Sequence, residues 1–119
     1  MPLIAIHELS LMMALAERVL EVATREGAER VVAIHLRVGH LAGVDSFALR
    51  TAGEIVLRGT IAEGARLDLE EVPAAWWCLP CRREFPASEI LGECPACGHA
   101  SRQMLRGHDL LLHALELDP

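Results

Sequence analysis

Apolar residues recur at helical spacing through the first quarter of the chain. Between Glu8 and Glu26 they form one main stripe and a second, narrower one, with charged residues on the remaining face. Gly27 follows directly, and glycine commonly ends a helix in the left-handed conformation. The pattern therefore predicts a first helix that starts at the pair His7-Glu8 and is covered on more than one side.

One more helix and three strands are predicted from the rest of the pattern. They are a strand over Val31–Val38, a helix from Asp45 to about Arg58, a strand over Arg66–Val72 and a strand over His108–Asp118. In the first strand, alternation places Val32, Ile34, Leu36 and Val38 on the face expected to cover the core. Asp45 is a candidate N-cap because its carboxylate can accept hydrogen bonds from the first free N–H groups. In the last strand the leucines change phase, which a bulge near His113 would explain.

Composition and charge narrow the class of protein. The chain has 119 residues, is 52% hydrophobic and carries a formal net charge of -6. No basic run is longer than Arg82-Arg83, which argues against nucleic acid as a partner. No apolar stretch approaches the roughly 20 residues that a membrane span needs, and the start lacks a basic signal-peptide region. We therefore expect a cytoplasmic protein without a membrane partner.

The four cysteines lie in one short segment as two C-x-x-C pairs, "CLPC" and "CPACG". They are Cys78, Cys81, Cys94 and Cys97. Two such turns facing each other can complete a tetrahedron of thiolates about 2.3 Å from one zinc ion. Because no coordination position stays open, the predicted zinc is structural, and its binding, on the order of 10–16 kcal/mol, would fold a segment with few apolar residues. Reduced cysteines without a metal and a rubredoxin-like iron site for electron transfer are the alternatives.

This segment also differs in composition from the rest of the chain. Residues 74–107 contain all the cysteines, both tryptophans and three of the 6 prolines, with little periodicity. We expect an α+β fold in which two helices pack on a three-stranded sheet, with the small four-cysteine zinc module inserted. The domains are residues 1–73 plus 108–119, and residues 74–107. The strand–helix–strand order favours a right-handed crossover between parallel strands.

No Ser/His/Asp order, nucleotide-binding loop or carboxylate pair stands out, so no enzyme is predicted. Among the histidines, His35, His108 and His113 are interpreted as structural, and His40 in a glycine-flanked turn is left open. His99 directly follows Cys97-Gly98 and could reach the zinc or a second metal, although a solvated position is favoured.

Taken together, these motifs resemble the HypA/HybF family of nickel metallochaperones, which serve the maturation of nickel–iron hydrogenases. The likeness begins at His7 and includes "HELSL", "LRVGHLAGV", "GTIAEGARLDLEEVP", "CPACG" and "RGHDLLLHALEL" in that order. The resemblance implies that residues 1–73 plus 108–119 form a nickel-binding domain. It also implies that His7 is a nickel ligand with Glu8 beside it, and that the four cysteines hold zinc.

The resemblance further implies that nickel is cargo, passed with a HypB-type GTPase to the large subunit of a nickel–iron hydrogenase, while some members supply urease. The sequence does not distinguish a monomer from a homodimer. Members usually begin Met-His-Glu, whereas here Ile6 precedes His7 and the terminal amine lies farther upstream. We therefore expect nickel binding that is weaker than in relatives or that uses His40 or His99. A zinc-stabilised interaction or regulatory module is a further alternative.

Overall fold

The computed structural model describes residues 3–87 and 92–119. Its two helices are α1 (Leu3–Arg25) and α2 (Ser46–Val56). The strands are β1 (Arg30–Gly39), β2 (Arg66–Val72), β3 (Ala75–Cys78), β4 (Arg83–Pro86), β5 (Gly92–Glu93), β6 (Ala100–Ser101), β7 (Met104–Arg106) and β8 (Leu110–Asp118). None of the described helices combines the length and the apolar character that a membrane crossing requires.

The chain divides into two compact units, of which the first contains both helices. It comprises Met1–Leu36, Val44–Leu69 and Leu112–Pro119. Strands β2, β1 and β8 form one sheet in that order. Residues 35 and 37 of β1 pair through their side chains with residues 68 and 70 of β2, so these two strands run parallel, as the crossover rule predicted. The α+β class and the three-stranded sheet are confirmed.

Helix α2 lies against both α1 and β2. A methyl group placed at Gly53 would lie 3.5 Å from Met12 Cε and 3.6 Å from Leu67 Cδ2, which is ordinary van der Waals distance. The largest fully buried apolar side chains of this unit come from both helices and β1: Met12, Val19, Val31, Ile34, Leu36 and Leu49. Asp45 caps α2 as predicted, because its Oδ1 accepts the N–H of Ala48 at 2.8 Å.

Two expectations for this unit were wrong. The first helix begins at Leu3 and not at Glu8, since no glycine or proline interrupts the chain between them. Val32 was expected to face the core but is 38% exposed, while Val31 and Ala33 are buried. Burial changes phase after Ala33 because a segment following α2 lies against the start of β1, where Val31 N donates to Ile61 O at 2.9 Å.

The second unit comprises Arg37–Gly43 and Glu70–Leu111. It contains a sheet of order β4-β3-β7 and a two-stranded sheet of β5 and β6. Its core is small and includes two of the cysteines: Trp76, Cys78, Phe85 and Cys94 are buried together. The strands span only two to four residues each, too few to produce the alternation by which a strand is identified from sequence.

Candidate metal centres

The two Cys-x-x-Cys segments fold as matching turns. In the first, Arg82 N donates to Cys78 O at 2.8 Å, and in the second, Gly98 N donates to Cys94 O at 2.7 Å. The donor residue has a positive φ in both, 54° for Arg82 and 75° for Gly98. Each turn thus directs its two thiols to one side, which is how paired zinc knuckles present their ligands.

The four sulfurs lie at distances suited to one tetrahedral ion. All four Sγ atoms are within 4.8 Å of one another, with Cys78 and Cys97 3.5 Å apart and Cys81 and Cys94 4.0 Å apart. Sulfurs bound at about 2.3 Å in a tetrahedron are about 3.8 Å apart. The predicted cluster is therefore present, and its four soft donors fit zinc. His99 is exposed and does not join the group.

The thiols differ in how readily they lose a proton. Burial is the main cause that raises the pKa of Cys78. Hydrogen bonding to the sulfurs of Cys97 and Cys78 raises the pKa of Cys81 to about 12. The backbone N–H of Cys97 lowers the pKa of Cys94 to about 7 in spite of burial. Of these three thiols, Cys94 loses its proton most readily, and a bound metal ion must displace the protons of the others.

His7 and Glu8 face different surroundings on α1. His7 is exposed, whereas Glu8 is completely buried. Consecutive helical residues point about 100° apart, so the two side chains do not present donors to the same point while this turn is helical. Met1 and Pro2 lie outside the described residues.

Glu8 connects α1 to the start of α2. Its Oε2 accepts the backbone N–H of Asp45, the N-cap of α2, at 3.0 Å. Its Oε1 is buried and has no hydrogen-bond partner among the described residues. A buried polar atom without a hydrogen bond lowers the stability of the fold, so the present position of Glu8 costs free energy. The sequence identified Asp45 only as a cap and gave no signal for this contact.

A second group of potential metal ligands lies on the sheet of the first unit. His35 Nε2 is 2.7 Å from Glu116 Oε2, and His35 Nδ1 is 3.3 Å from Asp68 Oδ2. Arg66 forms ion pairs with both carboxylates. The hydrogen bond with His35 is the main cause that lowers the pKa of Glu116. The sequence did not reveal this group, because His35 has the pattern of a structural residue and the strand register that joins the three residues cannot be read from one strand at a time.

His40 lies beside a cavity in the second unit. Its Nδ1 hydrogen-bonds Glu71, and the cavity of about 490 Å³ is also lined by Pro73, Ala74, Pro86 and Ala87. A carboxylate on Nδ1 directs the other ring nitrogen outward, an arrangement common among histidine ligands. No further cysteine, histidine or acidic residue lines the cavity in the described part of the chain.

A two-helix α+β unit and a separate unit built around four clustered thiols define a small protein with a candidate metal centre in its cysteine-containing unit. A family described as "Hydrogenase/urease nickel incorporation, metallochaperone, hypA" matches residues 6–117. The chain belongs to this HypA family, as the sequence motifs indicated.

Curated relatives agree with this assignment. Hydrogenase maturation factor HypA of Dechloromonas aromatica is 36% identical over 112 residues, which cover 94% of this chain and 99% of the relative. Hydrogenase maturation factor HybF of Klebsiella pneumoniae is 39% identical over 110 residues, covering 92% and 97%. The alignments span almost the whole of both chains, so the two units occur together in these relatives.

Solved structures show the same fold. The solution structure of the nickel metallochaperone HypA from Helicobacter pylori superposes with a TM-score of 0.68 at 20% identity, over 93% of this chain and 97% of that one. A second solution structure of a HypA protein gives 0.66 at 22% identity, over 92% and 91%.

Proposed function

We propose that this protein is a nickel metallochaperone that binds Ni(II) and delivers it for the maturation of a nickel–iron hydrogenase. The observation that carries the proposal is the family match over residues 6–117, which includes the His7-Glu8 pair and all four cysteines. The protein performs binding and transfer, and its two metal regions have different tasks. One holds zinc permanently and the other holds nickel that must be released.

His7 is the proposed nickel anchor. Its imidazole is exposed near the start of α1, and a neutral imidazole is a suitable donor for Ni(II). Glu8 is its neighbour, with Oε1 free of hydrogen bonds among the described residues and Oε2 on the N–H of Asp45. If nickel draws Glu8 out of its buried position, the contact with Asp45 breaks, so nickel loading is coupled to the loop before α2.

Substitution of His7 tests the anchor. His7→Ala should remove the tightest nickel equivalent and leave zinc content and helical circular dichroism unchanged, because the side chain is exposed. His108→Ala is the matched control, since His108 is also exposed. Isothermal titration calorimetry with Ni(II) measures the nickel affinity and stoichiometry of the two variants. Equal nickel affinity in His7→Ala and in the parent protein would move the site elsewhere.

The backbone near His7 adds a second measurable feature. Within α1, the amides of His7 and Glu8 are helical and donate to carbonyls one turn earlier. Binding of nickel by these amides would require their deprotonation and the loss of the first turns of a 23-residue helix. Nickel bound through amides should therefore reduce helical circular dichroism, whereas nickel bound through the imidazole alone should not.

The four cysteines are the proposed structural zinc ligands. Cys78 and Cys94 also belong to the core that surrounds Trp76 and Phe85, so loss of the metal removes part of that core. Cys94→Ser should release zinc and expose Trp76, while helical circular dichroism persists. Tryptophan fluorescence and metal analysis measure the result. Stoichiometric zinc with unchanged fluorescence would exclude the structural role, and visible absorption would indicate iron.

Delivery requires partners, and we propose a HypB-type GTPase and the hydrogenase large subunit. Large apolar side chains are exposed on α2, where Phe47 is 80% and Ile55 is 55% exposed. They are eight residues apart, about 80° around the helix axis, and both project from the exposed side of α2. We propose that the GTPase docks on this face of the helical unit, because large exposed apolar side chains can anchor a partner.

A pair of matched substitutions tests the docking face. Phe47→Ser should weaken binding to the purified GTPase at least tenfold, since one buried aromatic anchor can carry that much affinity. Leu79→Ser is the control, because Leu79 is 70% exposed but belongs to the other unit. If Leu79→Ser weakens binding and Phe47→Ser does not, docking occurs through the cysteine-containing unit.

A further inference from the structure

We propose that His35, Asp68 and Glu116 form an additional, exchangeable site for a divalent first-row transition-metal ion on the sheet of the first unit. One ligand atom from each residue can be chosen so that all three lie within 4.8 Å of one another. The site is separate in sequence from the cysteines and from His7. It does not depend on the nickel role proposed for His7.

The sheet pre-positions the three donors. Asp68, His35 and Glu116 lie on β2, β1 and β8, which are adjacent in that order. Neighbouring strands are about 4.8 Å apart, so the backbone fixes the spacing of the side chains before any metal binds. Donors held on strands reach a ligating geometry with less reorganisation than donors on loops. The donors then need only side-chain rearrangement, and no change of the backbone, to surround one ion.

The donor set selects the class of metal. One imidazole and two carboxylates provide nitrogen and oxygen ligands, which suit Ni(II), Co(II) and Zn(II) better than Ca(II) or Mg(II). The two carboxylates contact different ring nitrogens, Glu116 at Nε2 and Asp68 at Nδ1, so an ion bound by one nitrogen takes the place of the carboxylate contact there. Affinity should rise from Mn(II) through Co(II) to Ni(II). With three protein ligands, positions remain open to water, so the ion should exchange readily.

Arg66 is the competitor that occupies the cluster when no metal is bound. Its Nη2 lies 2.7 Å from Glu116 Oε2 and its Nε lies 3.0 Å from Asp68 Oδ2. All four side chains are partly exposed, from 32% for His35 to 58% for Arg66. Ion pairs between exposed groups are weak, so a divalent cation can displace the guanidinium at small cost. Removal of Arg66 should then strengthen metal binding.

The experiment uses the zinc-loaded protein carrying His7→Ala, so that the proposed nickel anchor does not contribute. Ni(II) is titrated by calorimetry, and the ring signals of His35 are followed by NMR, where a paramagnetic ion at the cluster broadens them. We expect about one equivalent of nickel. When His35→Ala or the isosteric Glu116→Gln is introduced as a second substitution, nickel affinity should fall at least tenfold. His113→Ala is the control, an exposed histidine of β8 outside the cluster.

Arg66→Ala separates a metal site from a plain network of ion pairs. Metal affinity should rise about two- to fivefold when the competing cation is removed. The proposal is overturned if the His7→Ala protein takes up no nickel, or if His35→Ala leaves its uptake unchanged. It is also overturned if Arg66→Ala weakens binding. Circular dichroism of each variant verifies that the sheet is intact.

Discussion

Gly92 is a position where one added methyl group should disturb the core of the cysteine-containing unit. A Cβ at this residue would lie 2.5 Å from Cδ2, 2.6 Å from Cγ and 2.9 Å from Cε2 of the Trp76 ring. Carbon atoms in contact are normally about 3.5–4.0 Å apart, so the ring must move by about 1 Å. Trp76 is only 3% exposed and belongs to the core that includes Cys78 and Cys94, so there is little room for that movement.

The cost of Gly92→Ala has two parts. Forcing a methyl group into a packed core typically costs about 1–3 kcal/mol. Displacing the ring also strains the hydrogen bond from Trp76 Nε1 to Ala87 O, 3.2 Å long, which is worth about 1 kcal/mol. We therefore expect a loss of about 2–4 kcal/mol. At about 4 °C per kcal/mol for a chain of this size, the melting temperature should fall by roughly 8–16 °C.

The same substitution at Gly53 is the matched control. There the nearest side-chain atoms lie 3.5 Å away and the residue is inside α2, so Gly53→Ala should be neutral or stabilise by up to about 1 kcal/mol. Thermal melts of the zinc-loaded proteins, followed by tryptophan fluorescence, measure both variants. A melting temperature for Gly92→Ala within about 2 °C of the parent would refute the close contact with Trp76.

Three further predictions concern other parts of the molecule. Gly39→Ala should destabilise by more than about 2 kcal/mol in urea melts, because its Cβ would lie 2.4 Å from the Gly107 carbonyl. Gly98→Ala should cost about 1 kcal/mol and weaken zinc retention in a chelator titration, because φ is +75° there. Glu116 has a lowered pKa in the fold, chiefly through His35, so its contribution is present above its unfolded pKa of about 4.3 and lost as pH falls through the folded value. The difference in stability between the parent and Glu116→Gln should therefore shrink below about pH 4, which urea melts across pH will measure.

Features of the structure that depend on neighbouring residues could be predicted from the sequence. The predicted bounds of β2 and the predicted cap at Asp45 agree with the structure. Pro73 ends the strand and the Asp45 carboxylate caps the helix, and both effects depend only on residues close by in the sequence. The cysteine cluster was predicted for the same reason, since each C-x-x-C pair closes its own turn. In β8, exposure changes phase at His113-Ala114, as the leucine pattern indicated.

Features that depend on distant parts of the chain were not predictable. The cluster of His35, Asp68 and Glu116 exists because three strands align in one register. The alternation pattern predicts which side chains of one strand share a face, but it does not predict which residues of two strands lie side by side. The contact between Glu8 and Asp45 joins residues 37 positions apart. The start of α1 was misplaced because the polar pair at positions 7 and 8 resembles a helix start, while burial of Glu8 is decided by tertiary packing.

The chemistry of the two proposed metal sites explains how one small chain can keep one ion and release another. Four thiolates on two matched turns give zinc a closed shell, and two of the ligands are also core residues, so zinc cannot leave without loss of packing. His7 is a single exposed donor on α1 and takes no part in the buried core, so loss of nickel there sacrifices no packing. In the proposed coupling, nickel acts on Glu8, whose Oε1 is buried without a hydrogen bond among the described residues and whose Oε2 accepts the N–H of Asp45. Under the proposed coupling, nickel release returns Glu8 to the N–H of Asp45, and this restored contact favours the unloaded state.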